Sequence, residues 1–185
     1  MPFSPLIARW HRHAPRAVTP DMLRGWLTDV ESLTARIRAR CGHFSVRIVR
    51  QRLAGAYHDE AALLPLRSGE RLWVREVLLI ADGIPVVFGR SLLPRRGQRG
   101  VWRLFHQMGN RPLGEDLFDN PAIRRQKLTS TCLDRRDARY HCARAAAGLP
   151  HIPNRLWARR SIFLLRESPL MISEVFLPAI FDLPA

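Results

Sequence analysis

The chain has a single lysine, Lys127, among thirty lysines and arginines. A surface dedicated to nucleic acid usually mixes the two. The net charge of +14 therefore reads as arginine bias with an attraction for anionic substrates, and no specific nucleic-acid partner is expected. Cysteine is scarce and odd in number: Cys41, Cys132 and Cys142, with no CxxC. Free thiols in a cytoplasmic protein are the simplest reading. No run approaches the ~20 apolar residues of a membrane span. The first thirteen residues lack a continuous apolar region and a small-residue cleavage site, so no signal peptide is expected. There is no internal repeat and no GxGxxG, GxxxxGK[ST], HExxH or GxSxG. Nucleotide-binding, zincin and α/β-hydrolase readings fall away at the motif level. Cys132, His141, Cys142 and His151 share one region, but at spacings that match no zinc finger or ribbon. No metal site is expected.

What is present is a chain of 185 residues, 46% hydrophobic and 25% charged. That suits one domain with a real core. Its centre is the stretch Arg71–Pro94. Two apolar runs flank Asp82-Gly83, the strongest short-range signal for a β-hairpin with a type I′ turn. A two-residue turn sets Ala81 opposite Ile84, Leu79 opposite Val86, Val77 opposite Phe88 and Arg75 opposite Arg90. Trp73, Arg75, Val77 and Leu79 then share a face with Val86, Phe88, Arg90 and Leu92. Like charges facing each other on a sheet cost up to about 1 kcal/mol, and burying an unpaired charge costs several kcal/mol more. Three arrangements relieve this. An anion lies between the arginines, held by guanidinium forks that match a carboxylate, or the face is solvated, or Glu76 or another acid pairs with them.

Around the hairpin the elements follow from pattern. Thr19-Pro20 reads as a helix start with Thr19 as N-cap, and Leu23, Trp26, Leu27 and Val30 form one apolar stripe. Glu31–Thr34 reads as the start of a second helix running to about Cys41, with Leu33 and Ile37 inward. His43–Arg52 alternates as a strand, and residues 54–69 connect it to the hairpin. Residues 95–100 form a basic turn, residues 101–108 a short helix, and Leu113-Gly114 a turn with exposed amides. The stretch from 122 to 160 is rich in arginine and reads as a solvated basic helical insertion at about 122–155. Of the aromatics only Tyr140 and Trp157 fall there, too few for a base-stacking platform. A weak contact with a membrane or a partner enzyme is one use for such a surface. A second hairpin, Ser161–Arg166 and Leu170–Pro178 about Glu167-Ser168-Pro169, puts Leu170, Ile172, Glu174 and Phe176 on one face. Glu174 is an acid among large apolar side chains, either salt-bridged to an arginine or touching a ligand's polar group. Strands in hairpins outnumber helices, which gives an α+β fold: a single antiparallel β-sheet with helices packed on it.

The blocks WVREVLLIADGIPVVFGRSLLP, RPLGEDLF and LWARRSIFLLRESPLMISEVFLPA, with DVESLTARIRA before them, resemble the chorismate pyruvate-lyase family of ubiquinone biosynthesis. The resemblance runs from about Pro20 to Ala179. It implies a cofactor-free, metal-free lyase with its ligand sheltered under flaps; a monomer is expected. Such an enzyme converts chorismate to 4-hydroxybenzoate and pyruvate, the first committed step towards ubiquinone. By position, Arg75 matches the arginine that holds the ring carboxylate. Glu174 matches the acid near the 4-position oxygen of the product. Leu113 matches a position offering backbone groups to the ligand, and Leu33 a flap position where methionine is expected. Arg90 matches a family arginine in the same block, here expected to help hold the enolpyruvyl carboxylate. The alternative is a non-catalytic, aromatic-acid-sensing domain of the same fold. That reading predicts a helix-turn-helix ahead of the domain, for which the ~19 residues before the first helix leave little room.

Overall fold

The computed structural model describes residues 9–12, 19–95, 112–126, 128–149 and 151–184. The expected basic turn from residue 96 on and the helix at 101–108 lie outside the described residues. Helix α1 (Asp21–Thr28) buries Leu23, Trp26 and Leu27. Pro20, not Thr19, takes its N-cap position, and Thr19 is buried. The helix stops at Thr28, so Val30 falls outside the stripe and is exposed. Helix α2 (Leu33–Arg38) starts at Ser32, whose hydroxyl accepts from Ala35 N at 3.3 Å. It buries Leu33, Thr34 and Ile37.

Strand β1 (Phe44–Ala54) pairs antiparallel with β2 (Leu72–Ala81), after a short helix α3 (His58–Ala61). Strand β2 turns into β3 (Ile84–Leu93) through Asp82 and Gly83, at φ 49° and 83°. This is the expected two-residue turn, and Ala81 faces Ile84. The expected register fails two residues later. Ile80 pairs with Pro85 but Leu79 pairs with Val87, leaving Val86 as an extra residue. Proline has no N–H for the ladder, and sheets accommodate it at bulges. The slip of one residue turns the rest of β3 over. Arg75 faces Ser91, Val77 faces Gly89, and Arg90 pairs with Glu76 on the opposite face.

Helix α4 (Leu113–Phe118) begins where an open turn was expected. Beyond it come β4 (Ile123–Arg125), β5 (Thr129–Asp134), α5 (Ala138–Ala147), β6 (Arg155–Leu165) and β7 (Ser168–Phe176). The sheet order is β1-β2-β3-β7-β6-β4, with β5 also on β6. The 122–155 segment is helical over α5, as expected, but β4 and β5 join the sheet, and α5 packs on it with Arg139 buried, so the segment is not a solvated insertion. The final hairpin turns on Arg166 and Glu167, both at positive φ, so the turn is two residues and not the expected three. Helices α1 and α2 pack on one face with Val77, Leu79, Val87 and Phe176. Helix α5 packs on the other with Leu78, Phe88, Ala158 and Val175. No helix among the described residues is long and apolar enough to cross a membrane.

Candidate active site

The bulge decides which side chains meet on the face under α2 and α4. Along one row of the sheet lie Arg75, Ser91, Ile172 and Ser161; along the next lie Val77, Gly89, Glu174 and Arg159. These residues line a partly open cavity roofed by Leu33 and Thr34 of α2 and by Leu113, Gly114 and Leu117 of α4. Phe163 and Phe118 close one end. The cavity holds about 50 Å³ with both helices in place, against roughly 300 Å³ or more for an ordinary small-molecule pocket.

Arg75 is 2% exposed, and burial pushes its guanidinium below its usual pKa. Between it and Glu174, strand β3 offers only the small residues Gly89 and Ser91, so the floor between cation and acid is flat. Glu174 is engaged by Arg159, whose Nε donates to Oε2 at 2.5 Å. Arg159 is 1% exposed. Its Nη1 donates to the carbonyls of Trp26 and Asp29, both at 2.9 Å, tying the end of α1 to the cavity wall. A third arginine, Arg125 of β4, lines the same cavity, donating from Nε to Ser161 Oγ at 2.8 Å and from Nη1 to Val30 O at 2.6 Å.

Of the residues singled out from sequence, Arg75, Glu174, Leu113 and Leu33 come together here. Arg90 does not. It lies across the sheet, its Nη1 on Glu76 at 2.7 Å and its Nε on Glu60 at 3.0 Å, beneath the Tyr57 ring. The slip removes the expected juxtaposition of the two arginines; acids pair with Arg90 alone, and from the far face it does not line the cavity where the enolpyruvyl carboxylate was expected to meet it. Arg159 and Arg125 were missed. The first is opposite Glu174 once the final turn is counted as two residues. The second reaches the cavity only through the pairing of a three-residue strand, which leaves no pattern to read.

A family profile described as Chorismate lyase matches residues 5–184. A probable chorismate pyruvate-lyase of Aromatoleum aromaticum is 59% identical over 175 residues, 95% of each chain. Another from Azoarcus sp. is 55% identical over 177 residues, 95% of this chain and 93% of the relative. Among solved structures, the effector domain of PhnF from Mycobacterium smegmatis superposes with a TM-score of 0.56 at 17% identity, over 81% of this chain and 90% of that one. The C-terminal domain of the histidine utilization repressor from Pseudomonas syringae does so at 0.56 and 10% identity, over 77% and 97%. These two share the fold alone, while the match in sequence spans nearly all of the chain: it belongs to the chorismate lyase family.

Proposed function

We propose that the protein eliminates pyruvate from chorismate to give 4-hydroxybenzoate, the first committed step towards ubiquinone. The observation that carries this is the roofed cavity with a buried arginine, Arg75, and an acid, Glu174, on one sheet face, separated by a floor of Gly89 and Ser91. A flat ring carrying a carboxylate at one end and an oxygen at the other fits that spacing of functions. In this reading Arg75 binds the ring carboxylate and Glu174 meets the 4-oxygen. Leu113 and Leu33 offer backbone groups from the roof.

Chemically the protein has little to supply. The C3–O ether bond breaks, the hydrogen at C4 leaves, and the ring becomes aromatic, so the product side is strongly downhill. In the concerted route that hydrogen passes to the enolpyruvyl methylene as the ether oxygen becomes the carbonyl of pyruvate. The cavity then acts by holding the reactive conformer and excluding water. In a stepwise route Glu174 gives a proton to the ether oxygen as the C3–O bond breaks, enolpyruvate leaves and ketonises, and the carboxylate left on Glu174 takes the C4 proton as the ring becomes aromatic. The test is incubation of the purified protein with chorismate in EDTA-containing buffer, with both products quantified. Equal release of 4-hydroxybenzoate and pyruvate supports the lyase. Tight binding of 4-hydroxybenzoate without turnover supports a sensor on the same fold instead.

A further inference from the structure

Chorismate is a dicarboxylate, and the lyase reading accounts for one of its two anions. The withdrawal of Arg90 to the far face leaves the enolpyruvyl carboxylate without a receptor. The arginines of this protein differ in how their charge is met. Arg90 has Glu60 and Glu76, Arg139 has Asp59 and Asp137, Arg159 has Glu174, and Arg160 has Asp59. Arg125 has no acid in ion-pair contact among the described residues. Its hydrogen bonds go to a hydroxyl and a carbonyl, through Nε and Nη1, and none from Nη2 is made to a described residue. Its guanidinium lies 5.6 Å from the Phe118 ring and 5.5 Å from the Phe163 ring. The two rings and the two acceptors hold this half-buried cation in place, while the charge of Arg159 opposes it, so an anion entering the cavity beside it is favoured. Burial and the neighbouring Arg159 push its pKa down by more than the more distant charges of Glu174, Asp29 and Glu31 raise it.

The position fits a small dicarboxylate. Arg75 begins the row Arg75–Ser91–Ile172–Ser161, and Ser161 at its other end carries the hydrogen bond that aims Arg125. Three strand spacings separate the ends, roughly 14 Å between backbones. Two arginine side chains lining one cavity from those ends leave a gap of ligand size between them. We propose that Arg125 receives the enolpyruvyl carboxylate of chorismate while Arg75 holds the ring carboxylate. This rests on the lyase reading and adds a subsite to it: Arg75 binds what substrate and aromatic product share, and Arg125 binds what only the substrate has.

That difference supplies the test. The variants are Arg125→Gln and, keeping a cation without the fork, Arg125→Lys, each with its melting temperature recorded. Arg125→Gln is expected to raise KM for chorismate by about 10- to 100-fold, the effect of one charged hydrogen bond, while the Kd for 4-hydroxybenzoate stays within about threefold. Arg125→Lys is expected to recover part of the loss. Equal loss for chorismate and 4-hydroxybenzoate, or an unchanged KM, overturns the assignment. Should the glutamine variant fail to fold, the same comparison of KM with product Kd in the lysine variant decides. Absence of turnover in the unsubstituted protein overturns the lyase reading itself and this subsite with it.

Discussion

At the scale of single residues, Arg75 and Glu174 carry the most weight. Arg75→Ala removes the buried cation proposed to hold the ring carboxylate. A charged hydrogen bond worth up to about 3 kcal/mol is a factor of roughly 10² in kcat/KM. Affinity for 4-hydroxybenzoate should fall with it, and retained affinity rejects the assignment. Glu174→Gln keeps the shape but breaks the pair with Arg159, leaving that 1%-exposed guanidinium without its acid. If the stepwise route operates, turnover is expected to slow by roughly a hundredfold or more. A rate equal to that of the unsubstituted enzyme removes Glu174 as a general acid and leaves the concerted route. Both residues stood out in the sequence because each is a charge set within a largely apolar strand. Arg159 did not. It also sits in a strand, but its partner is found only from the turn. Arg166-Glu167 takes positive φ at both positions without the Asn-Gly or Asp-Gly chemistry that announces such turns.

At the scale of elements, one extra residue in β3 reorganises the site. Asp82-Gly83 was readable as a turn, and Asp82 reinforces it by accepting from His43 N at 2.7 Å. The slip at Val86 was not readable, because proline in a strand permits a bulge without locating it. Its outcome is a chemical sorting: Gly89 and Ser91 go to the cavity, Arg90 to the buried acids behind. The roof is the second device at this scale. Helices α2 and α4 meet where a Cβ on Gly114 would lie 2.9 Å from Thr34 Oγ1 and 3.3 Å from Ser32 Oγ. With about 50 Å³ beneath them, these helices have to separate for a substrate to enter and a product to leave. Gly114→Ala is expected to wedge the roof open at a cost of about 1–3 kcal/mol. Stopped-flow release of 4-hydroxybenzoate should be faster and its Kd weaker. Adding Thr34→Ala should reverse both by making room for the new methyl group. An unaltered release rate in Gly114→Ala places the gate elsewhere.

At the scale of the whole molecule, the antiparallel sheet and its helices were legible because strand alternation and helical stripes are local. The role of the 122–155 segment was not. Its arginines read as a solvated face, yet Arg139 of α5 is buried against the back of the sheet and joins Arg160, from the middle of β6, around Asp59. Those bonds are long-range, and sequence separation hides them. Asp59 receives Arg139 Nη1 and Trp10 Nε1 at 2.8 Å and Arg160 Nη1 at 2.9 Å. Burial alone would raise its pKa, but the bonds from Arg139 and Trp10 and the charge of Arg160 outweigh it, and the value lies below the ordinary 3.8. A carboxylate depressed in this way stabilises the fold above the unfolded-state value. The contribution disappears as pH falls below 3.8 towards the folded-state pKa. Asp59→Asn leaves two buried guanidinium groups short of an acid, and a loss of about 3–5 kcal/mol at neutral pH is expected. The variant's stability should also fall less steeply below pH 3.8 than that of the unsubstituted protein, since the group that binds the extra proton on unfolding is gone. Denaturant unfolding at pH 7 and at successive pH values below about 4 measures both effects. Equal stability at neutral pH, or parallel acid slopes, would show that Arg139 and Arg160 are held by their remaining partners and that Asp59 does not anchor the back of the sheet.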